Sequence, residues 1–340
     1  MLSENGFNIK PARHYKKIEG GNVRCELCPR RCVIKPDHTG FCKSRKNLSG
    51  ELYTLNYGKV SALHIDPIEK KPLYHFYPGS SILSAGTNYC NLACRFCQNY
   101  ELSQHAADYN LVMPESMVAL AKKSENCSMV AFTYNEPSIW YEFMYDTSVI
   151  ARKNGVKTVM VTNGEINGPA LDELAPYMDA MNIDLKGFSA KFYDEYCGGG
   201  SFETVLSTIK KAYSLGIHVE ITNLVIPGLN DSPGMISDLI NFVAGVSPDI
   251  PLHFSKYHPA YMLDIPSTPV KTLIAAYEAA SKKLKFVYAG NIVDTQRNST
   301  FCPSCGAGLI ERNGFDSVIT GLEKGSACCL KCGDLIYGKF

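Results

Sequence analysis

Between residues 81 and 289 short apolar runs alternate with amphipathic stretches of helical period. The runs at 81–85, 128–134, 156–162, 180–185, 218–226, 252–257 and 285–289 have the length of buried strands. The stretches 113–124, 138–154, 168–177, 204–215, 232–246 and 270–284 repeat their apolar positions as a helix with one buried face does. This alternation predicts an α/β fold, a parallel sheet with helices outside, arranged as a partial (β/α) TIM-type barrel. Polar clusters follow the strands in order: TYNEP, TNGE, DLKG, IPGLND and KYHP. In a parallel barrel these positions fall at the C-terminal strand ends, where chemistry is built.

Outside that span the pattern fades. Residues 1–50 read as a small cysteine module that needs a metal to hold it together. Residues 51–80, rich in Pro, Lys and Tyr, read as a connector. Residues 81–295 form the barrel, and 296–340 a C-terminal cysteine-rich module. A chain of 340 residues accommodates one large domain with such attachments. The formal net charge of +1 offers no basic field for nucleic acid. No apolar run approaches a membrane span, and the N-terminal stretch lacks the apolar core of a signal peptide. A cytoplasmic protein without nucleic-acid or membrane partners is therefore expected.

Fourteen cysteines set the chain apart. Clustered cysteines in an intracellular protein bind metal more often than they form disulfides. Twelve of them fall in three clusters, while Cys127 and Cys197 stand alone and read as packing residues. The central cluster is CxxxCxxC in GTNYCNLACRFCQNYELSQ, with Cys90, Cys94 and Cys97 following the first strand of the β/α series. Three thiolates can hold three irons of a [4Fe–4S] cube and leave the fourth iron open to a small chelating molecule. Zinc or reduced structural cysteines are the plainer alternatives.

This motif resembles that of the radical SAM superfamily, and later motifs follow in the family's order. The resemblance implies a [4Fe–4S] cluster on Cys90, Cys94 and Cys97 that binds S-adenosylmethionine (SAM) and cleaves it reductively. It implies SAM contacts at Asn135 and Glu136 in TYNEP, Asn163 in TNG, Asp184 and Lys186 in DLK, and His258. His253 is a rival to His258, although a histidine within a strand is more often structural. A closer resemblance, through CELCPRRC, DPIEKKPLYHFYPGS, CRFCQNYELSQ, VEITNLVIPGLND, HFSKYHPAY and FCPSCGAGLIERNGF, is to AmmeMemoRadiSam-type proteins. These relate to the pyruvate formate-lyase activating enzymes. Where that family usually has Gly before the first cluster cysteine, this chain has Tyr89. An electron donor such as flavodoxin or ferredoxin is implied.

The flanking cysteines leave more open. Cys25, Cys28, Cys32 and Cys42 suit tetrahedral zinc or an auxiliary iron–sulfur cluster, the need for a staple favouring zinc, with His38 a substitute for Cys42. Cys302, Cys305, Cys329 and Cys332 read as two zinc knuckles. Cys328 adds a fifth thiol, and Cys328, Cys329 and Cys332 together suit a soft trigonal centre such as trivalent arsenic. The string CCLKC resembles the C-terminal motif of radical SAM enzymes of arsinothricin biosynthesis, although Ala327 stands where that motif has Arg. That resemblance implies transfer of the 3-amino-3-carboxypropyl group of SAM to arsenite, with the tail folded over the barrel mouth. The alternatives are hydrogen abstraction by a 5′-deoxyadenosyl radical from a protein or small molecule, and a metalloid-binding protein without turnover.

Overall fold

The structure is a computed structural model that describes residues 3–4, 7–124, 126–323 and 325–340. Its centre is an eight-stranded sheet. The strands are β1 (Ala62–Pro67), β2 (Ser81–Gly86), β3 (Cys127–Phe132), β4 (Lys157–Thr162), β5 (Ala180–Asp184), β6 (His218–Val225), β7 (Leu252–Lys256) and β8 (Val287–Gly290). They lie in chain order across the sheet. β1 runs antiparallel to β2, and every later pairing is parallel. β1 falls in the segment read as connector. Its polar HID stretch hides it, because an edge strand needs only one apolar face.

The seven parallel strands carry Val, Ile and Ala buried on both faces, as helix-covered strands must. The helices are α1 (Pro114–Lys123), α2 (Tyr141–Lys153), α3 (Gly168–Leu174), α4 (Ala190–Cys197), α5 (Phe202–Ser214), α6 (Pro233–Val246) and α7 (Val270–Ala280). Ser189, Ser201 and Ser232 cap α4, α5 and α6 by accepting a backbone N–H of the first turn. α4 is absent from the sequence expectation, since its SAKFYDEYC stretch is short and its apolar face is made of aromatics.

The N-terminal end of the sheet is plugged by the chain between β1 and β2. Glu220 on β6 accepts the backbone N–H groups of Tyr74 and His75 and also pairs with His218 and His253. The C-terminal module packs over this plug. Its strands Thr300–Phe301, Gly308–Asn313 and Asp316–Ile319 form a small antiparallel sheet. Tyr74, Phe286, Tyr288, Leu309, Ile310 and Ile336 share one core beneath it. Buried Arg312 donates to the carbonyls of Tyr74 and Asn298, and the Tyr337 hydroxyl accepts from Val219 N–H. No helix is long and apolar enough to cross a membrane among the described residues.

Candidate functional site

The three central cysteines lie on the loop after β2, at the C-terminal end of the sheet. Tyr89 holds a φ of 75°, the left-handed region that glycine adopts without strain. That conformation explains why glycine suits this position and why tyrosine there is strained by about 1–3 kcal/mol. The loop is fastened to α4: Ala93 N–H donates to Cys197 O at 3.1 Å and Arg95 N–H to Tyr196 O at 2.9 Å. Gly198 ends α4 with φ 73°, and a Cβ there would meet the Ala93 Cβ at 2.9 Å.

Each sulfur has a donor or a thiol beside it. Leu92 N–H lies 3.3 Å and Asn163 Nδ2 3.7 Å from Cys90 Sγ. Ser103 Oγ lies 3.1 Å from Cys97 Sγ. The Cys197 thiol beside Cys94 holds that thiol below its ordinary value against burial, with Lys186 adding to the effect. Burial drives Cys90 well above the ordinary thiol range, so a metal must displace its proton. Hydrogen bonds onto cysteine sulfur are what an iron–sulfur site uses to tune its cluster. The residues present therefore fit a cluster.

The strand ends converge on this loop. Asn135 accepts Thr87 N–H at 3.2 Å and donates to Tyr89 O at 2.7 Å. Glu136 accepts from Ser138 N, Thr162 Oγ1 and Asn163 N, at 2.9, 2.8 and 2.8 Å. Both side chains are thus taken by protein partners. Lys186 Nζ stands 2.8 Å from Asp184 Oδ2. Burial opposes the lysine's charge, but Asp184 and the Cys94 sulfur hold it well above the ordinary lysine range. His258 is exposed and accepts from Gln98, next to Cys97, at 3.3 Å. His253 is instead buried on Glu220, away from the loop.

Three residues at this site escaped the sequence reading. Asn91 is fully buried and joins Asn163 Nδ2 to the Glu165 carbonyl. Glu165 is buried, its carboxyl pushed up to about 7 by burial, and its Oε2 has no partner. Cys197, read as a packing residue, lies against Cys94. The Gly-Gly-Gly run that follows Cys197 at the end of α4 was the signal for a tight approach there.

The C-terminal thiols differ in place and spacing. The ligand atoms of Cys302, Cys305, Cys329 and Cys332 all lie within 4.8 Å of one another. Cys302 and Cys332 sulfurs are 3.6 Å apart, Cys305 and Cys329 sulfurs 3.8 Å. A tetrahedron of thiolates about 2.3 Å from one ion has edges of about 3.8 Å. Cys328 stands outside this group. The expected tail over the mouth is corrected here: the module sits at the opposite end of the sheet, held by the buried Arg312 and Tyr337 contacts. In the N-terminal module, His38 is exposed, with its Nδ1 bonded to the Pro36 carbonyl at 2.8 Å.

Residues 85–240 match the radical SAM superfamily. The uncharacterized protein MJ0808 of Methanocaldococcus jannaschii is 46% identical over 334 residues, 96% of this chain and 99% of that one. The pyruvate formate-lyase-activating enzyme of Clostridium pasteurianum is 23% identical over 50% of this chain and 72% of its own. The chain spans only 54% of the GTP 3′,8-cyclase of Peptoclostridium acidaminophilum, at 26% identity over 51% of this chain. A radical SAM methyltransferase from Sphaerobacter thermophilus shares the fold, with TM-score 0.52 and 14% identity over 88% of this chain and 81% of that one. The cysteine loop, its place at the strand ends and these likenesses agree: the chain belongs to the radical SAM superfamily, whose members use a [4Fe–4S] cluster and SAM.

Proposed function

We propose that this chain is an enzyme that cleaves SAM at a cluster held by Cys90, Cys94 and Cys97 and abstracts hydrogen from a protein or small-molecule substrate. When bound, the cluster and SAM supply a carbon radical by one-electron cleavage of a carbon–sulfur bond. The chain's own residues bind and orient. Asp184 and Lys186 offer one charge of each sign for the ammonium and carboxylate of the methionine end. His258, exposed at the mouth beside Gln98, is a further carboxylate partner. Asn163 serves both ends of the site, donating to Cys90 and anchoring on Glu136. Asn135 and Glu136 act as positioning residues, because their polar atoms already hold the cysteine loop and the β4 end.

One observation carries the choice of reaction. The C-terminal thiols lie at the far end of the sheet, about 20 Å from the mouth if a six-residue strand separates them. Cys329 and Cys332 are also engaged with Cys302 and Cys305, so an arsenite site on Cys328, Cys329 and Cys332 would have to dismantle that group. We read the four thiolates as a structural zinc site. Carbon–arsenic transfer remains the reading that CCLKC suggested, and one assay separates the two. The reconstituted protein is given SAM and reductant, with and without arsenite, and the adenosine product is identified by mass spectrometry. 5′-Deoxyadenosine indifferent to arsenite supports hydrogen abstraction; arsenite-dependent methylthioadenosine overturns it in favour of transfer to arsenic.

A further inference from the structure

Cys25, Cys32 and Cys42 are all neighbours of Cys28 in the N-terminal module. Cys25 ends the strand Val23–Cys25, and its N–H donates to Cys32 O at 3.0 Å. Tight turns at 28–31 and 40–43 bring the other thiols round, closed by Arg31 N–H on Cys28 O and Lys43 N–H on Gly40 O. Gly40 lies on Cys32: a Cβ there would stand 3.7 Å from the Cys32 sulfur.

The spacing separates this set from the C-terminal one. Among the described residues, the group drawn within 4.8 Å is Cys302, Cys305, Cys329 and Cys332. Neither the N-terminal four nor Cys90, Cys94 and Cys97 form such a group among the described residues. Thiolates on one ion must crowd to about 3.8 Å, whereas thiolates on a cube each bind a different iron and stand wider. One chain therefore shows one set at single-ion spacing and two that do not form one. A buried cation lies beside the N-terminal set. Arg45 is fully buried, ion-paired with Glu142, and turns Nη1 to the Cys25 sulfur at 3.7 Å. A guanidinium so placed suits a centre that carries negative charge.

The module also abuts the central loop through residues next to the cysteines themselves. Arg30, between Cys28 and Cys32, donates to the carbonyls of Asn91 and Gly198. Lys43, following Cys42, lies 5.3 Å from the ring centroid of Tyr89, which precedes Cys90. Asn167, just past β4, binds the carbonyls of Leu27 at 2.9 Å and Glu26 at 2.7 Å. The outer rim exposes Arg31, Lys35 and Phe41.

We propose that Cys25, Cys28, Cys32 and Cys42 hold an auxiliary iron–sulfur cluster that relays one electron to the cluster on the Cys90 loop. This rests on the reading of that loop given above. The electron comes from a reduced one-electron carrier protein of the flavodoxin or ferredoxin class, whose acidic surface would meet the basic rim. The carrier is oxidised as the outer cluster is reduced. The outer cluster is then reoxidised as the inner one is reduced. No bond forms or breaks and no proton moves in the relay.

The test begins with the full chain carrying Cys90→Ser, Cys94→Ser and Cys97→Ser. It is reconstituted anaerobically with iron, sulfide and zinc, then examined by metal and sulfide analysis and Mössbauer spectroscopy. The expected result is about four irons and four sulfides per chain, with the spectrum of a four-iron cluster. Zinc in the N-terminal module, with no acid-labile sulfide, overturns the proposal. This readout is independent of SAM chemistry, so it can succeed or fail apart from the proposed function. A second arm compares SAM cleavage driven by reduced flavodoxin with that driven by dithionite. In Arg30→Ala/Lys43→Ala, the ratio of the two rates is expected to fall by an order of magnitude. An unchanged ratio overturns the relay.

Discussion

Asn163 Nδ2 points at the sulfur of Cys90 from 3.7 Å while the backbone N–H of the same residue is held by Glu136. One residue thus ties the cluster loop to the end of β4. An N–H aimed at a cysteine sulfur draws electron density from a bound cluster and raises its potential. Asn163→Ala is expected to shift the reduction midpoint downward, on the order of tens of millivolts, with the cluster retained. An EPR-monitored redox titration reads this directly, and an unshifted midpoint counts against the contact.

Glu165 gives a pH dependence with a definite sign. Its carboxyl is pushed up to about 7 by burial, from an ordinary value of 4.5. The folded chain keeps this proton where the unfolded chain has lost it. The contribution to stability is therefore full below about pH 4.5 and is lost as pH rises through about 7. The amount is on the order of 3 kcal/mol. Glu165→Gln is expected to flatten that part of the profile and to gain on the wild type at about pH 8, as read by denaturant midpoints across the range.

Gly198 meets two demands at once, a φ of 73° and a neighbour 2.9 Å from where its Cβ would be. Gly198→Ala should cost about 2 kcal/mol or more and push Ala93 outward. Because Ala93 lies between Cys90 and Cys94, loss of iron on desalting should exceed that of the wild type. Iron content at fixed protein concentration is the measurement, and equal retention would mean the loop absorbs the methyl group.

The C-terminal thiols offer the opposite expectation. Removing the proposed zinc with a chelator, or making Cys302→Ser, should lower the melting temperature and open the tail to protease. Iron on the Cys90 loop should stay, since the tail packs on the plug and not on that loop. Parallel zinc and iron analysis of the same sample distinguishes these effects.

Much of this was legible along the chain. All seven parallel strands stand within a few residues of apolar runs, because strands buried on both faces must be apolar throughout. The cysteine motif located the site, since ligand spacing is local in sequence. What escaped was set by distance across the fold. Cys197 looked solitary because its partner Cys94 is about a hundred residues away in sequence, across a helix cap. Glu165 looked like any polar residue at a strand end until burial singled it out. The tail was expected over the mouth because nothing local in CCLKC encodes which end of the sheet Arg312 and Tyr337 will grip. His253 and His258 differ only by place: one lies inside a strand against Glu220, the other past its end in the open.

The eight strands do not close. β1 pairs only with β2 and β8 only with β7, so the sheet ends on two free edges among the described residues. A closed barrel admits its substrate through a ring of loops and sets a limit on its girth. Here the first and last strands each keep one side unpaired within the sheet among the described residues, so no ring of hydrogen bonds fixes the girth of the wall.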